Sequence, residues 1–573
     1  MKYLLSVILV FSASCSSHRV AKTAYQEGRT AKSLAIATSE PLASAAAQEI
    51  YQIGGNIADA AVAASLAISV LRPQSTGLGG GGFLVYVPGN LKNKREAWDF
   101  REVAPLSATP DMYVKNGKAQ TDLSQTGVLA VGVPGLIAGF WSFHKRHGKL
   151  PWATLFAPAI RLAEEGAPVS AHMAAAILSR QEDLLKSPEL SALFVPEGRP
   201  LKEAEIFFQK DLAKTLRLLA SNGSDELYRG EIGETISQFV QDQGGILRMR
   251  DFMRYRVQER EVLVANWNDK TVISMPPPSS GGIHVLQILK MVDYLKTSGV
   301  VLDPDPRLNL SLLEIEASKR AFSDRAMHLG DPDFHMVPTR ELLSDSYLRV
   351  RANEIATQKI IPGPRVVPWR AAANKGPKQT THLSFVDSDG NAISTTQTIN
   401  TYFGAAVMAP GTGIVLNNEM DDFSIKHGVA NAYGLIGGEA NEIRPRKRPL
   451  SSMTPTIVLD SQNRPILATG APGGSKIISS VYFSIARFLR DGETPEVAIS
   501  SCRFHHQWVP DKVSIETRCG DLKEKLKKFY VAEDSSPFGE LQMAGFDSQG
   551  RLFAVSDPRG HGQGIVVSYG KNR

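Results

Sequence analysis

Cysteine is nearly absent. Three in 573 residues exclude a disulfide scaffold, and Cys15 belongs to an apolar leader, so only Cys502 and Cys519 remain in the body of the chain. Sixteen residues lie between them. That spacing permits one structural disulfide in an oxidising compartment and offers too few ligands for a metal ion; the pairing stays open at this point. Histidine is sparse too, and the one adjacent pair, His505-His506, would point to opposite faces of a strand, so no metal site is expected. The GxSxG nucleophile elbow is missing. Excess charge is small, +6 with an isoelectric point near 9.0. The densest basic run, Arg444-Pro445-Arg446-Lys447-Arg448, carries no interleaved aromatic residue and reads as a solvated loop, so no nucleic-acid partner is expected. No repeat of fixed period is apparent. What is present, 43% hydrophobic and 21% charged residues, suits one large intertwined globular body.

Lys2, the mostly apolar stretch Tyr3 to Phe11 and Ser12-Ala13-Ser14-Cys15-Ser16 have the layout of an export signal over residues 1–14, too short to span a bilayer. Cys15 after small residues is similar to a bacterial lipoprotein cleavage site, although Ser12 stands where such sites carry a leucine. The two outcomes are a lipid anchor at Cys15 or simple cleavage near Ala13 or Ser14. Either places the protein outside the cytoplasm of a bacterium, in the periplasm or tethered to the outer membrane.

Asn56 to Val70 reads as a buried helix that Pro73 cannot continue. Gly77-Leu78-Gly79-Gly80-Gly81-Gly82 satisfies a dinucleotide fingerprint, yet it follows a helix and leads into a strand at Phe83 to Val87, the reverse of what such a site needs. The glycines are read as allowing a tight turn or close backbone packing. Residues 150–350 are rich in helical patterning. Ile361 to Lys378 then gathers four prolines and is expected to lie apart from the core, as a loose tether.

That tether ends at Gln379, where the most informative segment begins: Gln379-Thr380-Thr381-His382. A threonine freed at its own α-amino group unites nucleophile and base, because an amine of reference pKa about 7.7–8.0 can take the hydroxyl proton near neutral pH. Thr381 to Val386 reads as a half-buried strand, Ser388-Asp389-Gly390-Asn391 as a turn and Ala392 to Thr398 as the returning strand. With Ser388 and Asn391 closing the turn, Thr380 faces Ile399 and has Thr398 and Asn400 as diagonal neighbours.

Further segments follow: Asn417-Asn418-Glu419-Met420-Asp421-Asp422-Phe423, Arg448-Pro449-Leu450-Ser451-Ser452-Met453 and Pro472-Gly473-Gly474-Ser475. Together with Asp99-Phe100-Arg101-Glu102, Pro276 to Gly282, Phe504-His505-His506-Gln507-Trp508 and the Thr380 region, they resemble the gamma-glutamyltransferases, self-processing members of the N-terminal nucleophile hydrolases. The resemblance implies an α+β fold, a four-layer αββα sandwich. It implies that Thr380, oriented by Thr398, attacks the γ-carbonyl to give a γ-glutamyl ester that passes to water or an acceptor amine. By the same resemblance Arg101, Ser451 and Ser452 take the donor's α-carboxylate, while Asn400, Glu419 and Asp422 take its α-ammonium. The Gly473 and Gly474 N–H groups match an oxyanion hole, and Tyr433 matches the gate of a lid loop over His427 to Gly434. Self-cleavage between Gln379 and Thr380 would leave a heavy chain, 15–379, and a light chain, 380–573, bound as a heterodimer. No cofactor or metal is implied; the donors are glutathione and similar compounds, the acceptors amino acids or peptides. The rival readings are a related acylase or poly-γ-glutamate processing enzyme, or a surface-tethered binding protein that kept the fold without catalysis.

Overall fold

The computed structural model describes residues 21–26, 32–90, 92–366, 380–426 and 428–569. The leader with Cys15, residues 367–378 of the proline-rich stretch, Gln379 and His427 lie outside the described residues.

The hairpin that follows Thr380 is the centre of a seven-stranded antiparallel sheet. Thr381–Asp387 and Ala392–Thr398 pair with each other; Lys32–Thr38 and Gln563–Tyr569 extend the sheet on one side, and Gly81–Val87, Glu96–Phe100 and Gln258–Arg260 on the other. Every residue of both hairpin strands is buried, so both faces of the sheet are covered. Leu383, Phe385 and Ile393 join a core with helices Pro41–Gln52 and Ile57–Leu71. The alternate side chains turn the other way: Ser384 Oγ donates to the Gln542 carbonyl at 3.0 Å and Ser394 Oγ to that of Thr469 at 3.1 Å, both in a second seven-stranded sheet. Between the sheets His382 is wholly enclosed, with Nδ1 2.8 Å from Thr396 Oγ1; burial pulls its pKa down to about 3. Helices Gly281–Thr297, Pro306–His328 and Lys476–Ile485 share a core with the second sheet. The order is helix, sheet, sheet, helix, the expected αββα sandwich.

Helix Ile57–Leu71 needs no polar face because all fifteen of its residues are buried. Asn56 caps it, accepting from the N–H groups of Ala58 and Asp59, while Asp59 accepts in return from the Asn56 N–H. The glycine run has a packing reason. A Cβ at Gly80 would lie 2.0 Å from the Thr398 carbonyl oxygen, and one at Gly82 would lie 2.4 Å from that of Thr396. The run therefore borders the very end of the hairpin where Thr380 sits.

Two expectations change, and the open cysteine pairing is decided. The ladder pairs Thr381 with Gln397 through Val386 with Ala392, one residue off the register read from the sequence, and its continuation sets Thr380 opposite Thr398 rather than Ile399. The cause is a longer turn. The Asp387 carboxylate accepts from the N–H groups of Asp389 at 3.0 Å and Asn391 at 2.8 Å, and Gly390 takes φ +85°, giving a three-residue loop. The proline-rich stretch is tied to the core at its start, since Trp508 Nε1 donates to the carbonyls of Gly363 at 2.8 Å and Val366 at 3.0 Å. Cys502 and Cys519 are joined as a disulfide, Cα atoms 5.1 Å apart.

Both sheets join strands from before and after residue 380: Lys32–Thr38 pairs with Thr381–Asp387, Gly81–Val87 with Ala392–Thr398, and Lys270–Ser274 with Thr456–Leu459. A break before Thr380 would thus leave two fragments sharing both sheets. Among the described residues no helix is long and apolar enough to cross a membrane.

Candidate active site

At the Thr380 end of the hairpin lies a small pocket, and Thr380 and Thr398 both line it. Thr398 Oγ1 accepts the Asn400 N–H at 2.8 Å, which turns the chain sharply; Asn400 takes φ +78° and also lines the pocket. A non-glycine residue at such a φ marks stored strain of the kind found at functional sites.

Arg101 enters from the end of strand Glu96–Phe100, its carbonyl held by the Tyr255 hydroxyl at 2.9 Å. The guanidinium is almost fully buried. Its Nη2 donates to Asp422 Oδ2 at 2.5 Å, its Nη1 to Glu419 and its Nε to the Pro449 carbonyl at 3.3 Å. Burial opposes the charge, but Glu419, Asp422 and Glu102 outweigh it and hold Arg101 above the usual arginine range. On the acidic side the balance runs the other way. Burial pushes the Glu102 carboxyl up to about 7 and that of Glu419 well above the carboxylate range, against the pull of Arg101. Neither oxygen of Glu102 nor Oε2 of Glu419 finds a donor, and a proton held on one of these carboxyls near neutral pH relieves that cost.

The acidic turn is clamped by its neighbours. Asn417 accepts from the N–H groups of Gly132 and Glu419 and donates to the Gly79 carbonyl at 2.8 Å, which ties the turn to the glycine run. Asp421, adjacent to the pocket residue Asp422, faces away: it accepts from Ser124 Oγ at 2.6 Å and from the Ala432 N–H at 2.8 Å. Ser451 and Ser452 sit on the Pro276 to Gly282 segment, where the Ser451 N–H donates to the Pro278 carbonyl and the Ser280 N–H to the Ser451 carbonyl, each at 2.8 Å.

Gly473 and Gly474 both have positive φ, +129° and +57°, just ahead of helix Lys476–Ile485. Gly474 lines the pocket and Gly473 is its neighbour behind. A side chain at Gly474 would strike the Tyr433 ring, 2.4 Å from Cδ1. Tyr433 itself closes one wall, its hydroxyl donating to the Asn400 carbonyl at 2.7 Å. The loop that carries Tyr433 is pinned on two sides: Asn431 Nδ2 donates to Asp422 Oδ1 at 3.1 Å, and Gln507 Nε2 to the Gly434 carbonyl at 3.0 Å.

The pocket brings together Arg101, Thr380, Thr398, Asn400, Glu419, Asp422, Tyr433, Ser451, Ser452 and Gly474. Sequence reasoning did not single out Arg325, Leu435, Met453 or Ile477, which also line it, nor the buried Glu102 as a proton holder. Arg325 carries no local signal, being one arginine on the 23-residue helix Pro306–His328.

Comparison with known proteins follows the same lines. A family model described as Gamma-glutamyltranspeptidase matches residues 43–567. The glutathione hydrolase proenzyme of Escherichia coli (strain K12) is 39% identical over 536 residues, 92% of this chain and 91% of the relative. Among solved structures, a cephalosporin acylase from Bacillus halodurans superposes with a TM-score of 0.82 at 28% identity, covering 99% of this chain and all of its own. The Helicobacter pylori gamma-glutamyltranspeptidase gives 0.53 at 35% identity over 59% of this chain and 97% of its own. With a match over nearly its whole length, the chain belongs to the gamma-glutamyltranspeptidase family.

Proposed function

We propose that the protein is a self-processing γ-glutamyl hydrolase and transpeptidase that uses glutathione-like donors. The observation that carries this reading is one pocket in which a threonine at the head of a central strand faces a buried guanidinium ion-paired to two carboxylates. An α-amino acid carries its carboxylate and ammonium on a single carbon, so a site that reads both needs cation and anions side by side, as Arg101, Glu419 and Asp422 are. In the precursor the Thr380 hydroxyl attacks the Gln379 carbonyl, and water opens the resulting ester to leave heavy chain 15–379 and light chain 380–573. The freed α-amine of Thr380 then takes the hydroxyl proton as Thr380 attacks the donor's γ-carbonyl, with Thr398 orienting it. The Gly473 and Gly474 N–H groups stabilise the oxyanion, the amine leaves with the proton, and the γ-glutamyl ester passes to water or to an acceptor amine. Tyr433, closing the wall on Asn400, limits the entry of water. The leader supports export, and Cys15 supports a lipid anchor.

The likeness to the Bacillus halodurans acylase favours a second reading, an acylase whose side-chain substrate lacks the α-ammonium. Turnover of γ-glutamyl anilide against glutaryl anilide separates the two. We expect the γ-glutamyl compound to be preferred by at least about tenfold in kcat/KM, one charge-assisted contact's worth. A preference for glutaryl anilide would overturn the γ-glutamyl reading.

The raised carboxyls predict a pH effect. Below about 7 the Glu102 carboxyl holds its proton, and an arriving ammonium favours the ionised form. KM for γ-glutamyl anilide should therefore fall as pH rises from about 6 to about 8, by at most about tenfold per unit for one linked proton. Initial rates across that range check it, and a KM that rises or stays flat contradicts it.

A further inference from the structure

We propose that Arg325 is a second, specificity-determining cation of the pocket, which binds the donor's α-carboxylate together with Ser452. This rests on the γ-glutamyl reading of the site. Arg325 reaches the pocket from helix Pro306–His328. It is 5% exposed. Its hydrogen bonds go to two neutral hydroxyls, Nε to Ser280 Oγ at 3.1 Å and Nη2 to Ser452 Oγ at 3.4 Å.

The comparison with other buried arginines is telling. Arg72 pairs with Glu540 at 2.7 Å, Arg320 with Glu316 at 2.9 Å, Arg503 with Asp557 at 2.7 Å and Arg101 with Asp422 at 2.5 Å. Arg325, among the described residues, has no carboxylate within ion-pair distance. A buried guanidinium without an anion is costly, and the cost is removed when a ligand supplies the anion. Burial pulls its pKa down only to about 10, with Asp422 acting in the opposite sense, so it stays charged at neutral pH.

Arg101 is poorly placed to hold the carboxylate alone. Three of its five N–H donors are taken, and Glu102, Glu419 and Asp422 surround it, so a further carboxylate arriving there meets three acids. Arg325 lies on the Ser452 side. A donor bound with its carboxylate toward Arg325 and Ser452 and its ammonium toward Asp422 and Glu419 has each charge facing its opposite, and Arg101 bridges the two halves.

The test uses the self-processed protein, the variants Arg325→Met and Arg325→Lys, and two donors, γ-glutamyl anilide and its α-carboxamide counterpart. With the carboxylate donor, Arg325→Met should raise KM about 10- to 100-fold while kcat holds, and Arg325→Lys should recover part of the loss. With the carboxamide donor the same variants should behave like wild type. Equal losses on both donors would make Arg325 merely structural and overturn the inference, as would no loss on the carboxylate donor. A thermal melt of each variant identifies misfolding, in which case Arg325→Lys carries the comparison. A wild type that ignores γ-glutamyl anilide would sink the reading of the pocket itself, whereas an active wild type matched by Arg325→Met removes this inference only.

Discussion

Thr380→Ala should stay a single chain and lose at least about 10⁴-fold of its γ-glutamyl anilide turnover, the scale of deleting an active-site nucleophile. Both losses trace to one oxygen. On the proposed reading it cuts the bond after Gln379 in the precursor and carries the acyl group in the mature enzyme, so no other side chain should rescue either step. Alanine at this position removes a hydroxyl and a methyl from the mouth of a strand whose ladder runs on from Thr381, and the fold should survive. A gel and a melting curve separate loss of chemistry from loss of structure. Thr380→Ser, which keeps the hydroxyl, should still cut itself. A Thr380→Ala protein that is found as two fragments would show that another nucleophile does the work.

Asp422→Ala should raise KM for γ-glutamyl donors about 30- to 4,000-fold, since truncating one partner of a buried charge pair costs about 2–5 kcal/mol. The carboxylate does three things at once. It accepts from Arg101 at 2.5 Å, accepts from Asn431 of the loop that carries Tyr433 at 3.1 Å and, on the proposed reading, takes the donor's ammonium. Its loss strands the Arg101 charge and loosens the loop. Glutaryl anilide, which has no ammonium, isolates the third role: a penalty specific to the γ-glutamyl donor assigns Asp422 to the ammonium, and an unchanged KM points to the acylase reading instead.

Much of this architecture is written locally. The hairpin after Thr380 is legible because Asp389-Gly390-Asn391 can only be a turn and the flanking residues alternate, and helix Ile57–Leu71 is legible because small apolar residues fill it on every side. The register is not, because it hangs on the Asp387 side chain capping the loop from outside the four residues that look like the turn. The start of the proline-rich stretch misleads for a similar reason: its anchor is Trp508, more than 140 residues further along the chain. The pocket residues fall in short dense motifs, and those motifs converge in space. Arg325 shows the limit. On its helix it resembles any solvated arginine, and only packing against Ser280 and Ser452 makes it a wall of the site. Glu102 stands in its motif beside Arg101 with nothing to mark it, whereas burial pushes its carboxyl up to about 7 and makes it a proton holder.

Whether the chain severs itself to give Thr380 a free amine is read directly from the intact mass of purified protein, with N-terminal sequencing of each component. Two tightly associated fragments are expected, the smaller beginning Thr380-Thr381-His382. A single uncut polypeptide that nevertheless turns over γ-glutamyl anilide would contradict self-cleavage.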